Sequence, residues 1–142
     1  MSKEDYKARV RDFYDTVLCL HDFDKLPDYI AEDFVDHDAP PGTPNGVEGV
    51  RQIFTMFTTA FPDLRMQVEE MYSEDDVVIT RATIFGTHQG EFMGIPPTGK
   101  SVAYPGIDII RVDGETLVER WGKFDDVGLM QQLGAIPPMG PG

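Results

Sequence analysis

The sequence predicts an α+β fold: a curved antiparallel sheet with about three N-terminal helices packed against it and enclosing a pocket. Three observations carry this prediction. Apolar residues recur at helical spacing in 3–20 and again in 47–61. Four later runs, 64–72, 77–85, 101–112 and 116–124, are strand-like in pattern. Short turns join these runs in pairs, above all Asp113-Gly114, so the order is helices first and hairpins after.

Taken in order, residues 3–20 place Val10, Phe13, Tyr14, Val17 and Leu18 on one stripe, which makes Tyr14 an inward residue in need of a polar partner. Residues 24–30 suggest a short second helix with Asp24 as its cap and Pro27 near its first turn. The segment 34–38 is extended, and the loop 39–46 is set by its prolines and glycines. Residues 47–61 form a third helix whose phenylalanines are expected in the core. In 64–72, alternation puts Leu64, Met66, Val68 and Glu70 on one face. Residues 86–100 hold four glycines and two adjacent prolines, the composition of a shaped loop at a cavity mouth. Residues 126–133 read as a last helix closed by Gly134, and 135–142 as a Pro/Gly-rich, frayed tail beyond a single domain of residues 1–134.

With 12 basic and 25 acidic residues the formal net charge is −13, which argues against a nucleic-acid or anionic-membrane partner. No run approaches the roughly 18 apolar residues of a membrane span, and the N-terminus lacks a secretory core, so a cytoplasmic protein is expected. Cys19 stands alone and cannot form an internal disulfide. His21, His37 and His88 share no ligand spacing, and no phosphate or dinucleotide loop is present; neither a metal nor a cofactor is expected.

Four segments carry a family likeness: Phe61-Pro62-Asp63-Leu64, Gly86-Thr87-His88-Gln89-Gly90-Glu91-Phe92, Gly94-Ile95-Pro96-Pro97-Thr98-Gly99 and Gln132-Leu133-Gly134. Together they resemble the SnoaL-like polyketide cyclases, or ester cyclases, of the nuclear transport factor 2-like superfamily of α+β cones. The resemblance spans about residues 6–134. It implies a homodimer and a cofactor-free intramolecular aldol closure on a small apolar carbonyl substrate such as a polyketide. The family's acid/base aspartate falls at Gly122, or near Trp121, and its histidine falls at Asp108, so this chain departs from the family at both positions.

The carboxylates are also similar to those of the more distant ketosteroid isomerases. That likeness matches Tyr14 to a helix tyrosine, Asp38 to the base, and Asp108, within Ile107-Asp108-Ile109-Ile110-Arg111, to a protonated aspartate. Alternation puts Asp108 on one face with Gly106 and Ile110, where desolvation favours the neutral acid; Arg81, Arg120 or Lys123 could instead pair with it. The candidate catalytic residues are therefore Asp108 and Tyr14 as oxyanion stabilisers and Asp38 or His37 as base. Arg81, His88, Trp121 and Asp125 are candidates for substrate binding. Expected chemistry is proton abstraction next to a carbonyl, then ring closure or double-bond isomerisation. Non-catalytic binding of an apolar metabolite, or hydrolysis or dehydration on the same scaffold, are the alternatives.

Overall fold

The computed structural model describes residues 2–137, so most of the expected tail lies outside the described residues. Helix α1 (Lys3–Phe13) starts at a capping box, in which Ser2 Oγ accepts the Asp5 N–H and the Asp5 carboxylate accepts the Ser2 N–H. It continues into a π-helical turn, Tyr14–Cys19, and all five residues of the expected apolar stripe are buried. His21, with φ 58°, breaks the helix. A 3-10 helix, Phe23–Asp28, comes next, with Pro27 inside it. Asp22 occupies its cap position without a side-chain bond, and Asp24 lies in the first turn, so Asp24 is not the cap.

Strand β1 (Ile30–Asp36) leads through the loop to α2 (Val47–Ala60). Four strands come after it: β2 (Arg65–Glu74), β3 (Val77–Thr87), β4 (Ser101–Asp113) and β5 (Thr116–Phe124). Helix α3 (Asp126–Leu133) ends at Gly134, whose φ of 80° is the left-handed conformation of a helix stop. The strands form one sheet in the order β1-β5-β4-β3-β2. The β2–β5 pairs are antiparallel, but β1 lies parallel to β5. The four strands expected to be antiparallel are so, and β1, expected only as an extended segment, adds a parallel edge strand: most of the chain intervenes between β1 and β5, so no hairpin dictates their direction.

Two bulges decide which side chains face inward. Between Val68 and Glu70 the register of β2 slips, so Met66 and Val68 pack inward while Glu70 turns outward to Arg81. Expected on the inward face by simple alternation, Glu70 is moved by one inserted residue. Between β4 and β5 a second slip sits beside Arg111/Val112. Leu117 is buried, yet Arg120 and Gly122 share the inward face with Asp108, while Glu119, Trp121 and Lys123 face out.

The loop of 86–100 is anchored on the end of α2. Ala60 O accepts the N–H groups of both Gln89 and Gly90, at 3.0 and 3.1 Å. A Cβ on Gly90 would lie 2.2 Å from Thr59 O, so only glycine permits this backbone-on-backbone seat. Gly90→Ala is expected to cost about 2 kcal/mol, because the obstacle is rigid backbone and the loop must lift away. Chemical denaturation would measure it. No helix among the described residues is long and apolar enough to cross a membrane.

Candidate active site

Between the inner sheet face and the helices lies a cavity of about 440 Å³. Its walls are chiefly apolar: Phe13, Leu18 and Phe34 with Phe54 and Phe57 of α2, then Ile84, Tyr104, Leu117 and Leu129. Of the phenylalanines in 47–61 expected in the core, Phe61, just past the end of α2, is fully buried, but Phe54 and Phe57 only pack against the core and line this space. A core face and a cavity face share one helical period, so sequence could not part them. Phe92 and Met93 bring the 86–100 loop to the rim.

Against this apolar wall stands one charged cluster, centred on Arg120. Its Nε donates to Asp108 Oδ1 at 2.6 Å, and its Nη1 donates to Asp36 Oδ2 at 2.9 Å. The register supplies the geometry, since Asp36 lies beside Arg120 across the β1–β5 pair and Asp108 lies opposite Gly122 across β4–β5. Burial opposes the guanidinium charge, but the flanking charges of Asp108 and Asp36 outweigh it and push the pKa up. Arg120 is a fixed cation. Its Nη2 makes no hydrogen bond among the described residues and belongs to a side chain that lines the cavity.

Asp108 is 3% exposed, on the inward face, as alternation predicted. Tyr14, 1% exposed, donates its hydroxyl to Asp108 Oδ2 at 2.5 Å, with Thr80 Oγ1 at 3.5 Å. Burial first, and the charge of Asp108 second, push the Tyr14 hydroxyl well above its ordinary pKa, so it stays a donor. Asp108 therefore accepts on both oxygens, from Arg120 and from Tyr14. The expected pair of donors aimed at a ligand is instead a brace holding Arg120 in place. Of the three expected partners of Asp108, Arg120 is the one that takes it.

Asp38 also lines the cavity, where it accepts the Gly122 N–H at 2.9 Å and the Lys123 ammonium. The Lys123 bond first, and the Gly122 N–H second, hold its carboxyl below the usual carboxylate range. Asp126, unanticipated from sequence, is the fourth carboxylate of the lining, with Asp36, Asp38 and Asp108. Tyr104, whose hydroxyl burial pushes upward in pKa, shares that wall.

The remaining candidates do not line the cavity. His37 points outward, stacked on Trp121 at 4.8 Å between ring centroids, with Nε2 2.6 Å from Glu119. Trp121 is 37% exposed on the outer face. The bulge explains its position, for alternation counted from Leu117 would have sent it inward. Arg81 is also outside, paired with Glu70. His88 is fully buried against Phe61, and its Nδ1 accepts the Thr98 N–H at 3.2 Å, which ties the loop together. Asp125 caps α3 by accepting the Gly128 N–H at 2.9 Å. Among the described residues no three His, Cys, Asp or Glu side chains converge as a metal-ligand set.

Gly122 acquires a physical meaning here. A Cβ on it would lie 2.0 Å from Arg120 Nη2, so the guanidinium lies over the glycine and fills the space a side chain would take.

Comparison with known proteins places this architecture. The chain resembles IdmH from Streptomyces antibioticus, assigned as a polyketide cyclase, at 34% identity and a TM-score of 0.79, covering 91% of this chain and 98% of that one. AclR from Streptomyces galilaeus, assigned as a hydroxylase, is 27% identical with a TM-score of 0.82, covering 98% and 87%. TsrD from Streptomyces laurentii shares the fold, with a TM-score of 0.86 at 23% identity over 96% of this chain and 99% of that one. A search of curated proteins finds no match. The family model for SnoaL-like polyketide cyclases matches residues 8–133, nearly the whole cone from α1 to the end of α3, and the chain belongs to that family.

Proposed function

We propose that this protein is a cofactor-free enzyme that abstracts a proton next to a carbonyl group of a small, largely apolar substrate of the polyketide type. The enolate then closes a ring by aldol addition or shifts a double bond. The family membership and an apolar cavity of about 440 Å³ support the substrate class. One observation carries the chemistry: a braced guanidinium with an unclaimed Nη2 lining a chiefly apolar cavity.

A carbonyl oxygen placed against Arg120 Nη2 would gain charge as the neighbouring C–H bond breaks. A pre-oriented cation in a poorly solvated site stabilises that developing oxyanion more than the neutral ground state. Asp108, Asp36 and Tyr14 act through Arg120 by fixing its orientation. The proton goes to a carboxylate at the mouth, where Asp38 and Asp126 are the two available. In the ring closure, the enolate carbon forms the new C–C bond and the resulting alkoxide takes the proton back, so the site returns to its starting state.

The filled space at Gly122, where the resemblance places the family's acid/base aspartate, also gives weight to a second reading: a cavity that binds such metabolites without turning them over. Exchange of α-hydrogens separates the two. In deuterated buffer, the protein is expected to accelerate loss of the α-proton NMR signals of 2-tetralone, a neutral bicyclic ketone. A bound ketone that exchanges no faster than in buffer would leave only the binding reading.

A further inference from the structure

The two carboxylates at the mouth stand in different surroundings. Asp38 is already engaged, by the Gly122 N–H and the Lys123 ammonium. Asp126 has no side-chain hydrogen bond or ion pair among the described residues, although it lines the same cavity. The fold leaves it free for a simple reason. It is the first residue of α3, and the cap of that helix is supplied by Asp125, which takes the Gly128 N–H. Tyr104 is close enough to feel its charge, and Phe124, Leu129 and Met130 line the same cavity; none of them bonds to it.

We propose that Asp126 is the proton-accepting residue of this site, taking the α-proton of a substrate whose carbonyl oxygen rests on Arg120. The assignment depends on the acid/base reading above. In the step, the C–H bond breaks, its electron pair enters the enolate, and the proton goes to the Asp126 carboxylate. The negative charge passes to the oxygen held by Arg120. In ring closure the protonated Asp126 returns that proton to the new alkoxide, and in exchange it returns a deuteron acquired from solvent at the mouth.

The charged and titratable groups around Asp126 are Asp125 beside it, Arg120 and Lys123 of β5, and Tyr104 of β4. Asp126 is itself exposed; desolvation on its cavity side, then the adjacent Asp125 charge, push its carboxyl above the ordinary range, against the pull of Arg120 and Lys123. Asp38 is shifted the other way. The group with the higher pKa is the stronger base, and it is also the one with no partner to surrender.

The test uses full-length protein and 2-tetralone exchange, with ketone binding measured separately by thermal shift. Asp126→Asn is expected to slow exchange by about a hundredfold or more while leaving ketone binding intact, the usual contribution of a general base. Asp126→Glu should retain part of the rate, and Asp38→Asn should lose far less than Asp126→Asn. In the wild type the rate should fall on acidification as the carboxylate is protonated, and Asp126→Asn should flatten that limb. Exchange that survives Asp126→Asn, or an equal loss from Asp38→Asn, overturns this assignment and leaves the acid/base reading standing. No acceleration by the wild-type protein with ketone bound removes the acid/base reading and this assignment together.

Discussion

Arg120→Met is expected to destabilise the protein by about 3–5 kcal/mol, the cost of leaving buried charges without their partner. Asp36 and Asp108 would then face each other across the space the guanidinium had filled. Tyr14 still serves one oxygen of Asp108, but nothing replaces the cation. Urea denaturation would register the loss as a lower midpoint, and ketone exchange should fall to the buffer rate. Stability and activity can be separated with a triple variant, Asp36→Leu, Asp108→Leu and Arg120→Met. Removing the whole charged cluster for apolar side chains is often neutral for stability. This variant should recover much of the midpoint yet remain inactive. A triple variant that still exchanges ketone hydrogens would show that Arg120 is structural only. By contrast, losing the exposed Arg11–Asp15 pair should cost less than about 1 kcal/mol.

Gly122→Asp is the second large effect. The substitution installs a carboxylate where the family resemblance places one, yet its Cβ would lie 2.0 Å from Arg120 Nη2. One of the two groups must leave. Displacing Arg120 uncouples Asp36 and Asp108 as well, so the cost should exceed the roughly 1–3 kcal/mol of ordinary overpacking. Shortening the arginine together with the glycine change, as Gly122→Asp with Arg120→Ala, removes the clash. The double variant should be less destabilised than the sum of its single changes, a coupling that a double-mutant cycle measures. Additive effects would mean that the two positions do not compete for one space.

Much of this was legible in the sequence, and the failures share a cause. Helical spacing turned Tyr14 inward, and strand alternation did the same for Asp108; both side chains lie where those periods put them. Alternation set His37 and Asp38 on opposite faces without saying which reaches the cavity; β1 ends at Asp36, and the turn after it puts Asp38 at the cavity and His37 outside. What could not be read was parity across the bulges. A single slipped residue in β5 exchanged Trp121 for Arg120, and another in β2 turned Glu70 away. Nor does local sequence reveal pairing between β1 and β5, which brings Asp36 to Arg120. Asp126 escaped notice because its neighbour Asp125 is an equally good cap, and only the geometry shows which one takes the role. The signature loop gave the family correctly, but its histidine serves the loop rather than the cavity.

The π-helical turn at the end of α1 has a mechanical consequence. A π turn holds one residue more than the α-helical path needs, so it is a stored insertion. Deleting one residue from within Tyr14–Cys19 would let the backbone relax to regular α geometry. Because the turn absorbs that residue, its flanks, Ser2 to Phe13 included, would stay in phase with the rest of the chain. What changes is the path inside the turn, which opens on the tyrosine that reaches Asp108. The turn thus works as slack between the start of the chain and the cavity floor: the residues within it can be re-aimed without moving either flank.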